Sequence, residues 1–211
     1  MVKLSFYGGI GEIGGNKILL EDNKRKLFLD FGYPYSKYRV FYEEYLKPRP
    51  GAGLLDLLVM GLLPQLEGIY RTDLGTESLW QQFRRTEHYR KLEDIDVILL
   101  THAHLDHSGH ISFLREDIPI YATANTAFIA KAMQDSGKAP FDQQVCYFAT
   151  RVEECLEGWR QGAYVVSSGA DRQRRFCVSD KLDLSEEAEK FWEKSTRRKK
   201  LDSQLLENIN K

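Results

Sequence analysis

The stretch that most constrains this chain runs from Val97 to His110. Val97-Ile98-Leu99-Leu100 is a continuous apolar run, and it passes directly into Thr101-His102-Ala103-His104-Leu105-Asp106-His107-Ser108-Gly109-His110. A short apolar run of this kind reads as a strand buried on both faces. Residues two apart on an extended chain point to the same side, so His102 and His104 present their imidazoles to one point. Asp106 and His107 follow where the chain must turn, because Ser108-Gly109 breaks the strand and Ile111 to Arg115 reads as a helix. One group of ligands from a strand end and another from a turn suit two adjacent cations better than one. A lone histidine is ordinarily a core or surface residue, but four ligand-type residues within six positions, straight after an apolar strand, indicate a metal centre. His110 falls on the early helix and reads as a neighbour or surface residue, not a ligand.

Val2, Leu4 and Phe6 alternate with Lys3, Ser5 and Tyr7, the period-two pattern of a half-buried strand. Lys17 to Glu21 and Lys26 to Phe31 read as two further strands joined by a turn at Asp22-Asn23-Lys24-Arg25. Gly9-Ile10-Gly11-Glu12-Ile13-Gly14 fits the spacing of a dinucleotide fingerprint, but such glycines must open a helix, and Asn16 to Glu21 continues as a strand pattern. The glycines are better understood as a tight loop passing close to the rim of the site. Asp30 ends the third strand, where a carboxylate can accept bonds from backbone donors or from an imidazole of the cluster.

Tyr33 to Asp94 shows no clear strand. It holds an aromatic-rich segment (Tyr33, Tyr35, Tyr38, Phe41, Tyr42, Tyr45), a helix within Leu54 to Leu66 stopped near Pro64, and a helix over Thr76 to Lys91. An excursion of this kind is expected to lie over the site, its aromatics serving as cover, as a dimer contact or as a surface for stacking bases. Beyond the cluster, Pro119 to Ala122 reads as a strand and Thr126 to Asp135 as a helix with candidate caps at Thr123-Ala124-Asn125. Val145 to Thr150, Ala163 to Ser167 and Phe176 to Val178 are expected strands, with Arg151 to Gln161 a helix between them. Ser185-Glu186-Glu187-Ala188-Glu189 opens a charged helix running toward Arg197-Arg198-Lys199-Lys200. Those basic residues, with Arg172, Arg174 and Arg175, are either a solvated helix end or contacts for an RNA backbone. Strands and helices in this order suggest an α/β (α+β) fold, an αββα sandwich.

The segment Thr101 to His107 resembles the His-x-His-x-Asp-His signature of the metallo-β-lactamase superfamily. Leu27-Phe28-Leu29-Asp30-Phe31-Gly32 is similar to that superfamily's first motif, and Gly8 to Asn16 resembles the start of its RNase J-like, β-CASP branch. The known activities of that branch are on RNA and DNA phosphodiesters. The resemblance implies that residues 1–138 are the N-terminal half of the sandwich, with a helical insertion over 33–94, and that 139–211 is a poorly matched, partly helical continuation. It implies metal-dependent hydrolysis of RNA with a pair of zinc ions, or manganese, held by His102, His104, Asp106 and His107. Asp106 would also partner the nucleophilic water, and Asp30 would orient the ligands. A different ester or lactone hydrolase on the same fold is the enzymatic alternative, and a metal-poor interaction subunit the non-enzymatic one.

The sites of that family are closed by a further His, a bridging Asp and a last His. Here the five histidines are His88, His102, His104, His107 and His110, and none follows His110. Two imidazoles fall short of the three or four protein ligands of ordinary zinc sites. The chain is therefore expected to be the N-terminal part of a longer hydrolase. Alternatively, a second chain supplies the missing half, or catalysis has been lost and the fold retained.

Composition adds limits. A net charge of -1 gives no global attraction to nucleic acid, so RNA would be held by local patches. Three cysteines, Cys146, Cys155 and Cys177, without Cys-x-x-Cys spacing, fit reduced thiols in a cytoplasm. The N-terminus does not read as a targeting peptide, and the apolar run Leu54 to Leu63 is too short to span a bilayer. A homo-oligomer is compatible with all of this.

Overall fold

The computed structural model describes residues 1–42, 46–136, 139–155, 164–178, 185–193 and 206–208. In chain order the elements are β1 (Val2–Gly8), β2 (Lys17–Asp22), β3 (Arg25–Leu29), α1 (Tyr35–Phe41), α2 (Leu55–Val59), β4 (Leu66–Glu67), α3 (Glu77–Phe83), β5 (Arg90–Lys91), β6 (Val97–Leu99), α4 (Leu105–Ser108), β7 (Ile120–Ala122), α5 (Ala124–Asp135), β8 (Tyr147–Cys155), β9 (Tyr164–Gln173), β10 (Phe176–Val178), α6 (Glu186–Glu193) and β11 (Leu206–Asn208). A seven-stranded sheet in the order β1-β2-β3-β6-β7-β10-β11 organises them. Its first three strands are antiparallel, and from β3 onward neighbours run parallel. The fold is thus mixed α/β around one mixed sheet, as expected for a metallo-β-lactamase fold.

The strand register explains the core. Leu19, Phe28, Ile98, Ile120 and Phe176 are paired in one row across β2, β3, β6, β7 and β10, and each is at most 1% exposed. Removing such side chains from water stabilises by roughly 1.5–3 kcal/mol apiece. The insertion packs on this face: Phe31 meets Phe28 edge-on, Tyr70 meets Phe31, and Trp80 stacks on Tyr70. Trp192 of α6 closes the other end against Phe176 and Phe128. The opposite face carries Leu4-Leu20-Leu27-Val97 and Phe6-Ile18-Leu29-Leu99-Tyr121, paired in two further rows. Leu4 and Phe6 are half exposed there, at 50% and 51%. Ile98 and Leu100 are accordingly buried while Val97 and Leu99 are only half-buried, so the β6 run is not covered equally on both sides.

Several elements differ from the sequence expectation, each because a tertiary contact outweighs a local pattern. The third strand ends at Leu29, since Asp30 adopts a φ of 59° and turns the chain out of the sheet. The helix expected within Leu54 to Leu66 is only α2; Gly61 takes a φ of 66° and the chain turns back. The helix expected over Thr76 to Lys91 stops at Phe83, although Thr76 caps it as its hydroxyl accepts from the Leu79 amide. Arg84 there clamps both Glu67 and Glu77, and the Arg90 amide donates to the Gln65 carbonyl, drawing the chain into β5 beside β4. The residue pattern of the 33–94 segment does not announce these two short strands. Ile111 to Arg115 is not an α-helix but the end of a 3-10 segment, Gly109–Phe113, because Leu114 extends to bridge Tyr70. Residues 151–155, expected to open a helix, continue β8 and pair with β9. Residues 156–161, Tyr45 and Arg197 to Lys200 lie outside the described residues.

Arg174 cannot serve an RNA backbone: it is 1% exposed, donates to the carbonyls of Ser112 and Arg115, and lies over Phe148. Arg172 instead pairs with Glu116. Cys146 and Cys177 are buried and not joined in a disulfide. Among the described residues no helix is long and apolar enough to cross a membrane.

Two buried bases set a pH dependence. Lys17 is buried beneath the glycine loop, donating to the carbonyls of Gly32 and Gly15, and burial pulls its pKa down to about 7. His110 is buried among the rings of Tyr33, Tyr38 and Phe113 with both ring nitrogens unpaired, and burial pushes its pKa well below the usual imidazole value. It is a neighbour of the cluster, as expected, but a core residue, not a surface one. An unfolded chain holds the lysine proton up to about pH 10.5. Between pH 7 and that value the unfolded state binds more protons than the folded one, so stability rises with pH. Below about pH 6.5 the unfolded chain also protonates His110, and stability falls as pH drops. Urea denaturation should therefore show a gain of about 2 kcal/mol from pH 7 to pH 9. Lys17→Met should abolish that gain and leave the acid-side loss in place. A flat wild-type profile over pH 7–9 would contradict the assignment.

Candidate metal centre

The parallel pairing of β3 with β6 sets Leu29 beside Leu99, and so carries the residues just beyond each strand to the same edge of the sheet. The Asp30 amide donates to the Leu99 carbonyl at 3.0 Å. Its carboxylate is buried and accepts three bonds: Oδ1 from the Thr101 amide at 2.8 Å, Oδ2 from the Thr101 hydroxyl at 2.9 Å and from His107 Nδ1 at 2.6 Å. A non-glycine residue at positive φ is costly and concentrates at functional sites; aspartate is among the few that tolerate it. The carboxylate fixes the imidazole tautomer with the proton on Nδ1, which leaves the His107 Nε2 lone pair free. Nε2 lies 3.4 Å from Asp106 Oδ2.

Beyond Thr101 the chain leaves the strand and bends at Ala103 and His104, with His104 itself at φ -61° and ψ 147°. His102, His104 and Asp106 each offer one ligand atom, and those atoms lie within 4.8 Å of one another. The intervening Ala103 and Leu105 face the other way, into a cleft shared with Met133, Gln134 and Val145. Three of the four predicted ligands converge, and His107 stands against His102, its ring centroid 3.7 Å away. Burial lowers the His102 pKa, and the neighbouring His107 and His104 lower it further, so its imidazole is held neutral with a lone pair to give. Two imidazoles and a carboxylate match the three-ligand sets of catalytic divalent-metal sites, which keep a position open for water. The donor set therefore fits a divalent cation.

Sequence reasoning pointed to the ligands but missed most of what holds them. α4 has only four residues, so its carbonyls need partners from elsewhere. Three successive carbonyls find them: Leu105 accepts from the Tyr33 amide at 2.8 Å, Asp106 from Gly15 at 3.0 Å and His107 from Phe31 at 2.8 Å. The glycine loop thus braces the backbone of Asp106. A Cβ on Gly14 would lie 2.5 Å from that of Asp106, which shows how close the approach is. The loop leads into a strand, not a helix. The Asn16 side-chain amide nitrogen lies 3.3 Å from His107 Nδ1 and, since that nitrogen gives its proton to Asp30, abuts the ring without bonding to it. The density of glycines was the signal available in the sequence for this contact; nothing in it pointed to Asn16 or Thr101.

Parts of this chain are similar to known proteins. Residues 72–154 match a family model described as a beta-lactamase superfamily domain. Ribonuclease J of Corynebacterium glutamicum is 29% identical over 143 residues, which are 66% of this chain and 15% of that protein. A crystal structure of a protein of unknown function from Enterococcus faecalis V583 is 26% identical, with a TM-score of 0.46, over 67% of this chain and 31% of the other. The chain therefore spans a small part of the length of these relatives. The matched region contains the whole His-x-His-x-Asp-His turn, so what the chain shares with known proteins is a beta-lactamase superfamily domain over residues 72–154 and a partial similarity to a ribonuclease J.

Proposed function

We propose that this chain takes part in metal-dependent hydrolysis of RNA phosphodiester bonds. The observation that carries the reading is the convergence of His102, His104 and Asp106 on one point, beside a His107 oriented by Asp30. Similarity to a ribonuclease J supports the substrate class. In this reading His102 and His104 bind a cation through neutral imidazoles, Asp106 adds a carboxylate oxygen, and His107 offers Nε2 as a further donor. Zinc suits imidazole and carboxylate together, and manganese is the alternative. A bound divalent cation lowers the pKa of water and screens the negative charge of a phosphate. Asp30 acts on this group only through His107 and Thr101, holding the ring in one tautomer and the start of the ligand turn in one place. Asp106, 24% exposed at its side chain, is the carboxylate open to accept a proton from water at the site.

The test pairs metal analysis of the purified chain with cleavage of a labelled RNA in zinc or manganese. Bound metal and metal-dependent cleavage are expected, with His104→Ala lowering both the affinity and the rate by about 100-fold or more. Metal-dependent hydrolysis of a simple ester with the RNA left intact would overturn the nuclease assignment and leave the hydrolase. No metal retained by the wild-type chain would overturn the reading that His102, His104 and Asp106 by themselves hold a cation.

A further inference from the structure

We propose that Tyr35 and Arg39, on the exposed side of α1, form a nucleotide subsite next to the metal centre, with a base stacking on the Tyr35 ring and a neighbouring phosphate pairing with Arg39. The proposal rests on the phosphodiester reading above and deepens it.

The entry to α1 is fastened to the ligand turn. The Tyr33 amide donates to the Leu105 carbonyl, and Gly14 is wedged between the Tyr33 carbonyl and Asp106. Tyr35 is two residues further on, close enough that the charge of Asp106 adds to burial in raising its hydroxyl pKa. Lys37, one turn into the helix, pairs with Glu12 at 3.1 Å and ties α1 to the glycine loop, which fixes the orientation of the helix against the site.

The tyrosines of this segment have different surroundings. Tyr38 is buried, with its ring 3.8 Å from that of Tyr33 and its hydroxyl on Asp142. Tyr35 is backed by Tyr33 at 5.1 Å yet remains 39% exposed. The Tyr33 ring meets it at a tilt of 56° and steadies it, while the exposed part of the Tyr35 ring is available for a base to stack on. Ile13, 78% exposed, lies on the glycine loop beside Gly14.

Arg39 lies one helical turn from Tyr35, on the same side of α1. It is exposed and has no carboxylate partner among the described residues, whereas Arg25, Arg49, Arg84, Arg90 and Arg115 each hold one. With a net charge near zero, the chain has to attract phosphate through local cations of this kind. An aromatic face, an unpaired guanidinium and a metal-ligand cluster in succession fit a single-stranded polynucleotide.

The experiment measures binding of the 211-residue chain to a fluorescent, non-cleavable single-stranded oligoribonucleotide and to its abasic counterpart, with metal chelated, alongside cleavage of the natural RNA. Wild type is expected to prefer the base-bearing strand. Tyr35→Ala should weaken that binding by roughly 10- to 100-fold and bring the preference over the abasic strand close to one. Tyr35→Phe should stay within about twofold of wild type, since stacking needs the ring and not the hydroxyl. Arg39→Ala should weaken binding to both strands and shallow the salt dependence by somewhat under one unit of slope. Tyr35→Ala that binds and discriminates like wild type overturns the subsite, even if RNA is cleaved. Loss of discrimination in Tyr35→Ala, with a wild type that leaves RNA uncut, would sustain the subsite and overturn the nuclease reading.

Discussion

Gly32→Ala is expected to destabilise the protein by about 3–5 kcal/mol and to abolish metal binding. An added Cβ would sit 1.6 Å from the Asp106 carbonyl oxygen, 2.3 Å from its carbon and 2.8 Å from the His107 nitrogen. All three are backbone atoms, so no rotamer change relieves the clash. Either the strand-exit segment or the ligand turn must move. That movement breaks the bonds from Phe31 to His107, Tyr33 to Leu105 and Gly32 to Asn16, and uncouples Lys17 from the Gly32 carbonyl. Each lost bond costs about 1 kcal/mol, and more where a buried donor is left unpaired. Gly11→Ala provides the contrast: Gly11 has a positive φ of 67° but nothing near its absent Cβ, so only conformational strain of about 1 kcal/mol is expected. Urea denaturation measures stability, and competition with a chromophoric chelator measures metal affinity. Wild-type stability in Gly32→Ala would mean that the two segments are not in the contact described.

Asp30→Asn is expected to keep the fold, to cost about 2–3 kcal/mol, and to weaken metal affinity by about 10- to 100-fold. Asparagine tolerates the left-handed backbone that this position requires, so the kink at the end of β3 survives. What changes is the side chain: an amide offers one acceptor and one donor group where the carboxylate accepted bonds from the Thr101 amide, the Thr101 hydroxyl and His107. One of those donors then faces another donor. His107 loses the anion that fixed its tautomer and ring plane, so its Nε2 is no longer presented in one direction. Asp30→Ala should be worse for stability, because it adds backbone strain and leaves all three donors unpaired. Unchanged metal affinity in Asp30→Asn, with the expected stability loss, would show that Asp30 is a purely structural bond acceptor.

The ligand turn was readable in the sequence because its information is local. An apolar run, a period of two and a break at Ser108-Gly109 suffice to say that His102 and His104 share a side and that Asp106 and His107 follow at the turn; that Asp106 joins the two imidazoles is a result of the fold. The strands of the opening hairpins were readable for the same reason. The helices of the insertion were read too long, because their ends are set by partners remote in the chain: Arg84 bonding Glu67 ends α3, and Leu114 bridging Tyr70 keeps the segment after the cluster short. Arg151 to Cys155 has a composition compatible with a helix, and only pairing with β9 makes it a strand.

By itself, then, the amino-acid order determined the family resemblance, the strand that leads to the cluster and which side chains could face a cation, since these follow from spacing within about ten residues. Tertiary structure alone decided that Asp30 reaches His107 and Thr101 from about seventy residues away, and that the glycine loop supports the Asp106 backbone. It also decided that Lys17 and His110 are buried and that Tyr35 remains open beside the site. Those outcomes depend on which parallel strands become neighbours and in what register, and no local periodicity carries that information.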